Sequence, residues 1–461
     1  MRERVVKRIS IRRVVLIILA ALIVVGVAVC IVPYCYVSEL PKDTLNISNG
    51  VLLGIKETPK GRYTVTVPNS VKHIEDGAFK NQRGLVSISF SDSTISIGAE
   101  AFANCIGLEK VVFSSLLDFI DVSAFEGCTS LRYADLPSTI DSVGPRAFKG
   151  CASLVDVEFP EGMRFIGSES YFGCTSIDSV RIPDSVRCVY SDSFDGCNSL
   201  IRSENGYSFV DGWCIELPAD AKELAFPDGT RGIANGLSCE TVETVYFPAS
   251  VMWISTAFKE CDTLREVTFA DNSRLNDLDS YAFFKCSALE KVDFGKNSSV
   301  KQFGFKSFSE CISLKSLTLP ASMESLGYSL DGCTSLERIE FETNSRATVI
   351  GDDALEGLVS LKEFTVPEGV EWLGNRCFAG CTSLEKVTVS STVKKLGYNL
   401  TDGCESLKSV EFAVSDGWSL WDRDGKEKTG DVDSESLSEP ESAAEWMKLH
   451  SESLEVMKRE E

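Results

Sequence analysis

Residues 147–160 read AFKGCASLVDVEFP, and the same order of apolar residues recurs along most of the chain. Residues 124–137 (AFEGCTSLRYADLP), 101–113 (AFANCIGLEKVVF) and 378–389 (FAGCTSLEKVTV) repeat it closely. Each copy has Phe, Cys and Leu at fixed positions, a Val or Ala three residues after the Leu, and often a Pro at the end. Self-similarity at a fixed period is typical of proteins built from stacked coils, each of which is one unit of supersecondary structure.

The cysteines give the period of the repeat. They form one column along the chain: Cys105, Cys128, Cys151, Cys174, Cys197, Cys239, Cys261, Cys286, Cys311, Cys333, Cys381 and Cys404. The first five are spaced by 23 residues, and later intervals are similar. Gln82 and Leu358 occupy the cysteine position in two further coils, and one more coil is centred on Pro218. We therefore predict about 15 coils over residues 71–413.

Each coil contains a Leu-x-x-Val-x-Phe segment, such as Leu154, Val157 and Phe159. Its alternation of apolar and polar residues predicts a short strand. Pro160 closes that strand because proline cannot donate a ladder hydrogen bond. A coil of this size cannot bury its apolar side alone, so neighbouring coils must stack their Phe, Leu and Cys residues in columns. We predict a mostly β solenoid with a parallel sheet, roughly 70 Å long at ~4.8 Å per strand.

The residue after the repeat leucine gives an independent test of the register. From the middle of the array its charge alternates in sign without a break: Lys222, Glu243, Arg265, Glu290, Lys315, Glu337, Lys362, Glu385 and Lys408. Opposite charges on adjacent strands stabilise a sheet and like charges destabilise it. The alternation predicts coils that stack in parallel and in register, with this column exposed to solvent.

The N-terminus has the pattern of a membrane anchor. Residues 1–13 contain six Arg or Lys, and residues 14–32 carry no charge. A helix of that length spans the ~30 Å hydrocarbon core. The basic flank places residues 1–13 in the cytoplasm, residues 14–36 in the membrane and the repeats outside. A cleaved signal peptide is the alternative, but its apolar region is shorter, about 7–15 residues.

The repeats are flanked and interrupted by other segments. Residues 37–70 predict an N-terminal cap with a hairpin around Asn49-Gly50, since an open solenoid end exposes a strand edge. Residues 198–217 break the strand pattern and predict an inserted hairpin that turns at Asp211-Gly212 beside Trp213. Residues 414–425 predict a C-terminal cap hairpin. We expect residues 426–461 to be an acidic tail, flexible over 426–439, with a short helix from near Ser438 to near Met457. Packing of this helix on the end of the solenoid and a disordered tail are the two alternatives.

This repeat resembles that of the BspA-like leucine-rich repeat family, I-G-x-x-A-F-x-G-C-x-S-L-x-x-V-x-I-P-x-S-V. The resemblance covers about residues 71–413 and is strongest around Cys128, Cys151 and Cys381. It implies a right-handed leucine-rich repeat solenoid on the surface of a bacterium, or sometimes a protist. Adhesion to host proteins or to other cells is the role usually proposed in the family, whose functions are diverse. The chain departs from the pattern at Leu358 and at residues 198–217, and it has no cell-wall sorting motif.

The cysteine column suggests chemistry at first sight, but its geometry favours packing. Metal sites need ligands that converge on one point, often as C-x-x-C pairs. These thiols would instead form a line along the stack, so we predict small buried hydrophobic side chains. Parallel side chains in neighbouring coils also make the disulfide torsion difficult to reach.

Two exposed columns are predicted as ligand contacts. The first is the middle column of the strand face, with Tyr133 and Tyr246 as its tyrosines. The second precedes the Ile/Leu-Gly corner of each coil and includes Phe119, Phe165, Trp253 and Trp372. Exposed aromatic residues often anchor partners. The alternative is that the strand face only confers solubility and that the corner aromatics pack against adjacent coils.

Composition excludes some functions and favours others. The net charge of −22 argues against nucleic acid, whose phosphates attract positive charge. The only two histidines, His73 and His450, lie at opposite ends of the chain, and no catalytic constellation is visible. We therefore expect no enzyme activity, metal or cofactor. The leading hypothesis is a membrane-anchored extracellular protein that recognises a protein or glycan. A structural envelope protein without a specific ligand is the alternative, and an enzyme-associated scaffold is less favoured.

Overall fold

A computed structural model describes residues 37–155, 157–449 and 456–459. The predicted cytoplasmic segment (1–13) and the predicted membrane anchor (14–36) lie outside this part of the chain. Within the described residues, no helix is both long enough and apolar enough to cross a membrane.

The longer strands of successive coils form the front sheet, which runs in five hydrogen-bonded segments along the molecule. Apolar residues at alternate positions face the core, and the residues between them face solvent. The strands are β1 Val37–Glu39, β4 Arg62–Thr66, β6 Leu85–Ser89, β8 Lys110–Val112, β10 Tyr133–Asp135, β12 Val157–Glu158, β14 Val180–Arg181, β19 Glu223–Ala225, β21 Thr244–Phe247, β22 Glu266–Phe269, β24 Lys291–Asp293, β26 Ser316–Leu319, β28 Arg338–Phe341, β30 Glu363–Thr365, β32 Lys386–Val389 and β34 Ser409–Phe412.

The corners of the coils form the back sheet, whose strands are mostly two residues long. The second residue of each pair is buried and the first is more exposed, as at Phe165–Ile166. The strands are β3 Val51–Ile55, β5 His73–Ile74, β7 Ser96–Ile97, β9 Phe119–Ile120, β11 Ser142–Val143, β13 Phe165–Ile166, β15 Cys188–Val189, β20 Gly232–Ile233, β23 Asp277–Leu278, β25 Gln302–Phe303, β27 Ser325–Leu326, β29 Val349–Ile350, β31 Trp372–Leu373 and β33 Lys395–Leu396.

The solenoid has about 16 turns with parallel sheets, close to the 15 coils predicted. The N-terminal cap forms a turn of its own because β3 and β4 pair in parallel with β5 and β6. The register inferred from the alternating charges is confirmed. The amide of Glu243 donates to the carbonyl of Lys222 (2.6 Å), and the amide of Lys408 donates to Glu385 (2.9 Å). The side chains of these two pairs form ion pairs of 2.8 and 3.0 Å.

The predicted columns fill the interior. In the N-terminal half, the rings of Phe79, Phe102, Phe125 and Phe148 stack in turn, with centroids 5.0–5.3 Å apart and planes within 9° of parallel. The column continues through Tyr171 to Phe194. Identical residues stack because each coil lies directly on the one before it.

The insertion is larger than the single hairpin predicted. It has three antiparallel strands, β16 Arg202–Glu204, β17 Tyr207–Val210 and β18 Trp213–Glu216, and turns at Asn205-Gly206 as well as at the predicted Asp211-Gly212. Trp213 is 1% exposed. The insertion lies between two hydrophobic cores: Val210 and Trp213 pack into the N-terminal one, and Phe209 and Cys214 into the C-terminal one.

The N-terminal cap hairpin, predicted around Asn49-Gly50, is present as β2 Leu45–Ser48 antiparallel to β3, preceded by a short 3-10 helix at Lys42–Thr44. The C-terminal segment packs on the end of the solenoid, which was one of the two alternatives, but residues 426–439 are folded and not flexible as expected. Residues 426–449 are folded, and the buried side chains of this end include Leu437, Ala443 and Met447. The elements there are β35 Trp418–Trp421, β36 Lys428–Asp431, α1 Ser434–Ser438, α2 Pro440–Leu449 and β37 Val456–Arg459. β37 pairs antiparallel with both β33 and β35, and α2 packs on β34, so together they cover the end of the stack.

Candidate interaction surfaces

Ten of the twelve cysteines of the column share one environment. Each donates its Sγ–H to the backbone carbonyl of the residue at the phenylalanine position in the preceding coil, as Cys151 does to Phe125. The distances are 3.0–3.2 Å, so the backbone carbonyl satisfies this weak donor inside the core and no polar side chain is needed. The donors are Cys105, Cys128, Cys151, Cys174, Cys197, Cys286, Cys311, Cys333, Cys381 and Cys404.

Burial also suppresses the reactive form of these thiols. Loss of solvent raises the pKa of Cys105 and of Cys286 to about 12, and it raises the pKa of Cys128 and Cys151 well above the ordinary value. The thiolate is the nucleophile and the metal ligand, so a protonated buried thiol has neither function at neutral pH. Packing is the role that this geometry supports for the column.

One pair departs from the predicted free thiols. Cys239 and Cys261, in adjacent coils, form a disulfide with their Cα atoms 5.6 Å apart. The coil of Cys239 is irregular because Gly236, with a positive φ of 83°, stands where other coils have phenylalanine. This coil directly follows the insertion, and at Gly236 its backbone takes a left-handed conformation that the phenylalanines of the column do not have.

The exposed side of the front sheet forms a groove in the C-terminal half. A cavity of about 650 Å³ is lined by Tyr246, Thr268 and Asp293 of three adjacent strands, and by Glu342 from the loop after β28. A second cavity of about 840 Å³ continues from Glu342 along β28 and β30 to Pro367. We call these two cavities the front groove. The face is concave here, because side chains from coils as far apart as those of Tyr246 and Glu342 line one cavity.

The front groove combines an acidic lining with an exposed ring. Five carboxylates and two cations line it: Asp271, Asp293, Glu340, Glu342, Glu363, Lys296 and Arg338. Arg338 pairs with Glu340, which leaves most of the remaining charge negative. Tyr246, 43% exposed, lies at one end. A concave surface with an exposed aromatic residue and an excess of negative charge favours a positively charged partner.

The two predicted tyrosines are on the same face but not in the same place. Tyr133 is 46% exposed on β10 in the N-terminal half, on the other side of the insertion from Tyr246. Only Tyr246 lines the front groove.

The corner aromatics of the back sheet are half-buried against neighbouring coils. The indole Nε1 of Trp253 donates to the carbonyl of Asp184 (3.3 Å), and the guanidinium of Arg187 lies 5.1 Å from its ring. These contacts join the two halves of the solenoid across the insertion. Lys395 covers the ring of Trp372 at 4.9 Å.

Phe119 and Phe165 are separated in the back sheet by the strand that contains Ser142. Phe165 makes an edge contact with Tyr190 at 5.8 Å. The structure therefore distributes the four corner aromatics along the sheet and does not bring them together as one site. Any role of theirs in binding stays a prediction.

Two features were not predicted from the sequence. One is the set of loop residues that complete the front groove, such as Asp271, Lys296 and Glu342. The other is a group of rings on the turn side of three consecutive coils, which we call the turn-side aromatic cluster: Tyr281, Phe284, Phe305 and Tyr328. These rings do not share one repeat position. Aromatic residues beside lysine in successive coils, as in YAFFK and FGFK, were the available signal.

Comparison with known proteins agrees with the repeat geometry. The family model for the BspA type leucine rich repeat region matches residues 72–201, 234–344 and 327–416, which is more than half of the chain. The chain therefore belongs to the BspA-type leucine-rich repeat family. The match stops at residue 201 and resumes at 234, the positions that bracket the insertion. No curated protein matches the chain significantly.

Several solved structures are similar to the chain. A leucine-rich repeat protein from Bacteroides ovatus is 26% identical, with 80% of this chain and 92% of that one covered and a TM-score of 0.37. A leucine-rich cell-surface protein from Faecalibacterium prausnitzii is 23% identical over 81% of this chain and 93% of that one, with a TM-score of 0.31. A leucine-rich repeat protein from T. pallidum is 23% identical over 49% and 90%, with a TM-score of 0.33.

Proposed function

We propose that this protein is a membrane-anchored, extracellular recognition protein that binds a basic segment of a partner protein in its front groove. The observation that carries the proposal is the continuous concave surface from Tyr246 to Pro367, acidic along its length. An extended surface of this kind spreads affinity over several coils. Opposite charge on the partner raises the association rate and excludes acidic competitors.

Localisation at the cell surface, with adhesion as the biological role, is part of the proposal. It rests on membership of the BspA-type family and on the apolar run of residues 14–32 after six basic residues. Protease treatment of intact cells tests the orientation. Digestion of the repeats from outside is expected, and their protection until the cells are lysed would refute the extracellular placement.

We further propose that the chain acts by binding and not by catalysis. The buried thiols are protonated at neutral pH, and the carboxylates of the front groove are open to solvent. A thiol that stays protonated is not a nucleophile, and carboxylates spread along an open groove suit the binding of a charged partner.

Binding of the full-length chain to an array of extracellular matrix proteins and glycans tests the recognition function. We expect saturable, micromolar binding to proteins with basic segments, and this binding should weaken as salt screens the charges. The double variant Glu342→Gln/Glu363→Gln should weaken it further. A charge-matched control, Glu75→Gln/Asp178→Asn, removes two exposed carboxylates outside the front groove and should bind like the wild type. The absence of saturable binding to any protein would instead support a structural envelope role.

A further inference from the structure

The turn-side aromatic cluster is a second exposed surface, separate from the front groove. Its rings come from three consecutive coils, each ring lying between a back-sheet strand and the repeat cysteine. The ring of Phe305 is 5.7 Å from that of Tyr281 and 5.6 Å from that of Tyr328, and Phe284 contacts Tyr281 at 5.4 Å. Phe305, at the centre, is 49% exposed, which is unusual for a phenylalanine.

Three lysines surround these rings. The ammonium groups of Lys259 and Lys285 lie 5.8 and 5.2 Å from the ring of Phe284. The ammonium of Lys306 lies 5.8 Å from Phe305 and 5.4 Å from Tyr328. These distances are within the range of cation–π attraction, which holds each ammonium beside a ring.

Each of the three lysines also has a carboxylate close by, but beyond hydrogen-bond range. The distances from Nζ to carboxylate oxygen are 3.6 Å for Lys259–Glu260, 3.8 Å for Lys285–Glu310 and 3.6 Å for Lys306–Asp331. On the front sheet, by contrast, lysine–glutamate pairs are in direct contact, at 2.6 Å for Lys291–Glu266. The cluster therefore presents aromatic rings beside ammonium groups and carboxylates that can still form hydrogen bonds to a ligand.

We propose that the turn-side aromatic cluster binds a neutral pyranose oligosaccharide. A pyranose has an apolar C–H face that stacks on an aromatic ring, and its vicinal hydroxyls each donate and accept hydrogen bonds. A hydroxyl that approaches Lys306 and Asp331 from solvent can contact both, accepting from the ammonium and donating to the carboxylate. Phe305 supplies the central stacking surface, and the neighbouring coils supply the flanking rings for successive sugar units.

The charges around the cluster favour a neutral ligand over a charged one. Three lysines face three carboxylates, and the two further carboxylates near Tyr328, Asp353 and Glu356, pair with Arg376. The patch therefore has no large excess of either sign to attract a polyanion or a basic peptide. The ammonium groups already lie beside the ring faces, which opposes the approach of a second cation. This inference does not depend on the proposed function of the front groove, because the two surfaces have no residue in common.

Titration of the full-length chain in detergent with hexasaccharides of β-1,4-linked glucose, mannose and N-acetylglucosamine tests the proposal. Isothermal calorimetry should show that at least one of them binds with a Kd of about 1 mM or tighter. The affinity should not change with salt, since no net charge is involved. Phe305→Ala should weaken binding about tenfold or more. Lys306→Met, which keeps the packed stem and removes the donor, should weaken it several-fold.

Phe172 provides a matched control. It is an exposed phenylalanine, 37% accessible, with the ammonium of Lys149 at 4.7 Å, but it lies outside the cluster. Phe172→Ala should leave the affinity unchanged. The proposal is overturned if none of the three hexasaccharides binds, if Phe305→Ala and Phe172→Ala have the same effect, or if a polyuronate or a lysine-rich peptide binds the cluster more tightly. Loss of matrix-protein binding in the front-groove variant, with sugar binding intact, would separate the two surfaces.

Discussion

Replacement of Tyr171 by phenylalanine is expected to stabilise the N-terminal half of the solenoid. Tyr171 stands in the phenylalanine column, 1% exposed, with its ring 5.4 Å from that of Phe148 and 5.6 Å from that of Phe194. Its hydroxyl has no hydrogen-bond partner among the described residues. Burial raises the pKa of this hydroxyl well above the ordinary value, which reflects the same loss of solvent.

The magnitude follows from the cost of the unpaired hydroxyl. An unsatisfied buried polar group costs about 1–3 kcal/mol, and Tyr171→Phe removes it while keeping the stacked ring. The space left by one oxygen atom offsets a small part of the gain, so we expect a net stabilisation of about 1–2 kcal/mol. With a urea m-value of about 3 kcal/mol/M, the unfolding midpoint should rise by about 0.5 M. Tryptophan fluorescence, to which Trp213 in the same core contributes, reports the transition.

Tyr63 supplies a control within the same chain. It is also 1% exposed, but its hydroxyl donates to Oε1 of Gln82 at 2.9 Å. Tyr63→Phe should therefore destabilise the protein, by about 1 kcal/mol, because a satisfied hydrogen bond is lost. Opposite signs for the two substitutions are the decisive result. If Tyr171→Phe also destabilises the protein, the reasoning about its unpaired hydroxyl is refuted.

Three further perturbations test other parts of the structure. Alkaline pH should destabilise the fold, because burial raises the pKa of the Cys128 and Cys151 thiols. Their full contribution to folding stability is present below the pKa of an unfolded thiol, near 9. It is lost as the pH rises from there toward the folded pKa. Each such thiol costs about 1.4 kcal/mol per pH unit above 9, and a urea midpoint that is constant from pH 8 to 10.5 would contradict this. Arg231→Ala should lower the free energy of unfolding by about 1.5–3 kcal/mol, because the guanidinium donates to the carboxylate of Asp211 (3.0 Å) and to the carbonyl of Ile182 (2.9 Å). An unchanged midpoint of thermal unfolding would rule out a stabilising role for these contacts between the insertion and its neighbouring coils. Lys408→Glu places like charges on adjacent coils and should cost some tenths of a kcal/mol at low salt, an effect that high salt should remove.

The repeating part of the fold could be predicted because every coil supplies the same evidence. The columns of Phe, Leu and Cys follow from stacking alone, and the charge alternation from Lys222 to Lys408 established the register that the hydrogen bonds confirm. The strand face was also predicted, including Tyr246. The residues that make this face a groove lie in loops after the strands, where length and composition differ between coils.

The non-repeating parts were harder to predict because their contacts are non-local. Strand β37 pairs with β33, which lies much earlier in the sequence. The residues of β37 alone do not indicate that partner. The helices α1 and α2 each bury few residues, so their apolar pattern is weak. In the insertion, Asn205-Gly206 was an available hairpin signal, and recognising it would have predicted the third strand.

Radical footprinting of the full-length chain, free and bound to the tightest matrix protein from the array, tests recognition through the front groove most directly. We expect Tyr246 and Phe341 to lose reactivity when the partner binds, because both line the front groove. Tyr133, on the same face in the N-terminal half, should keep its reactivity. Protection of the back-sheet residues Trp253 and Trp372, with Tyr246 still reactive, would contradict the account and move the binding surface to the other side of the solenoid.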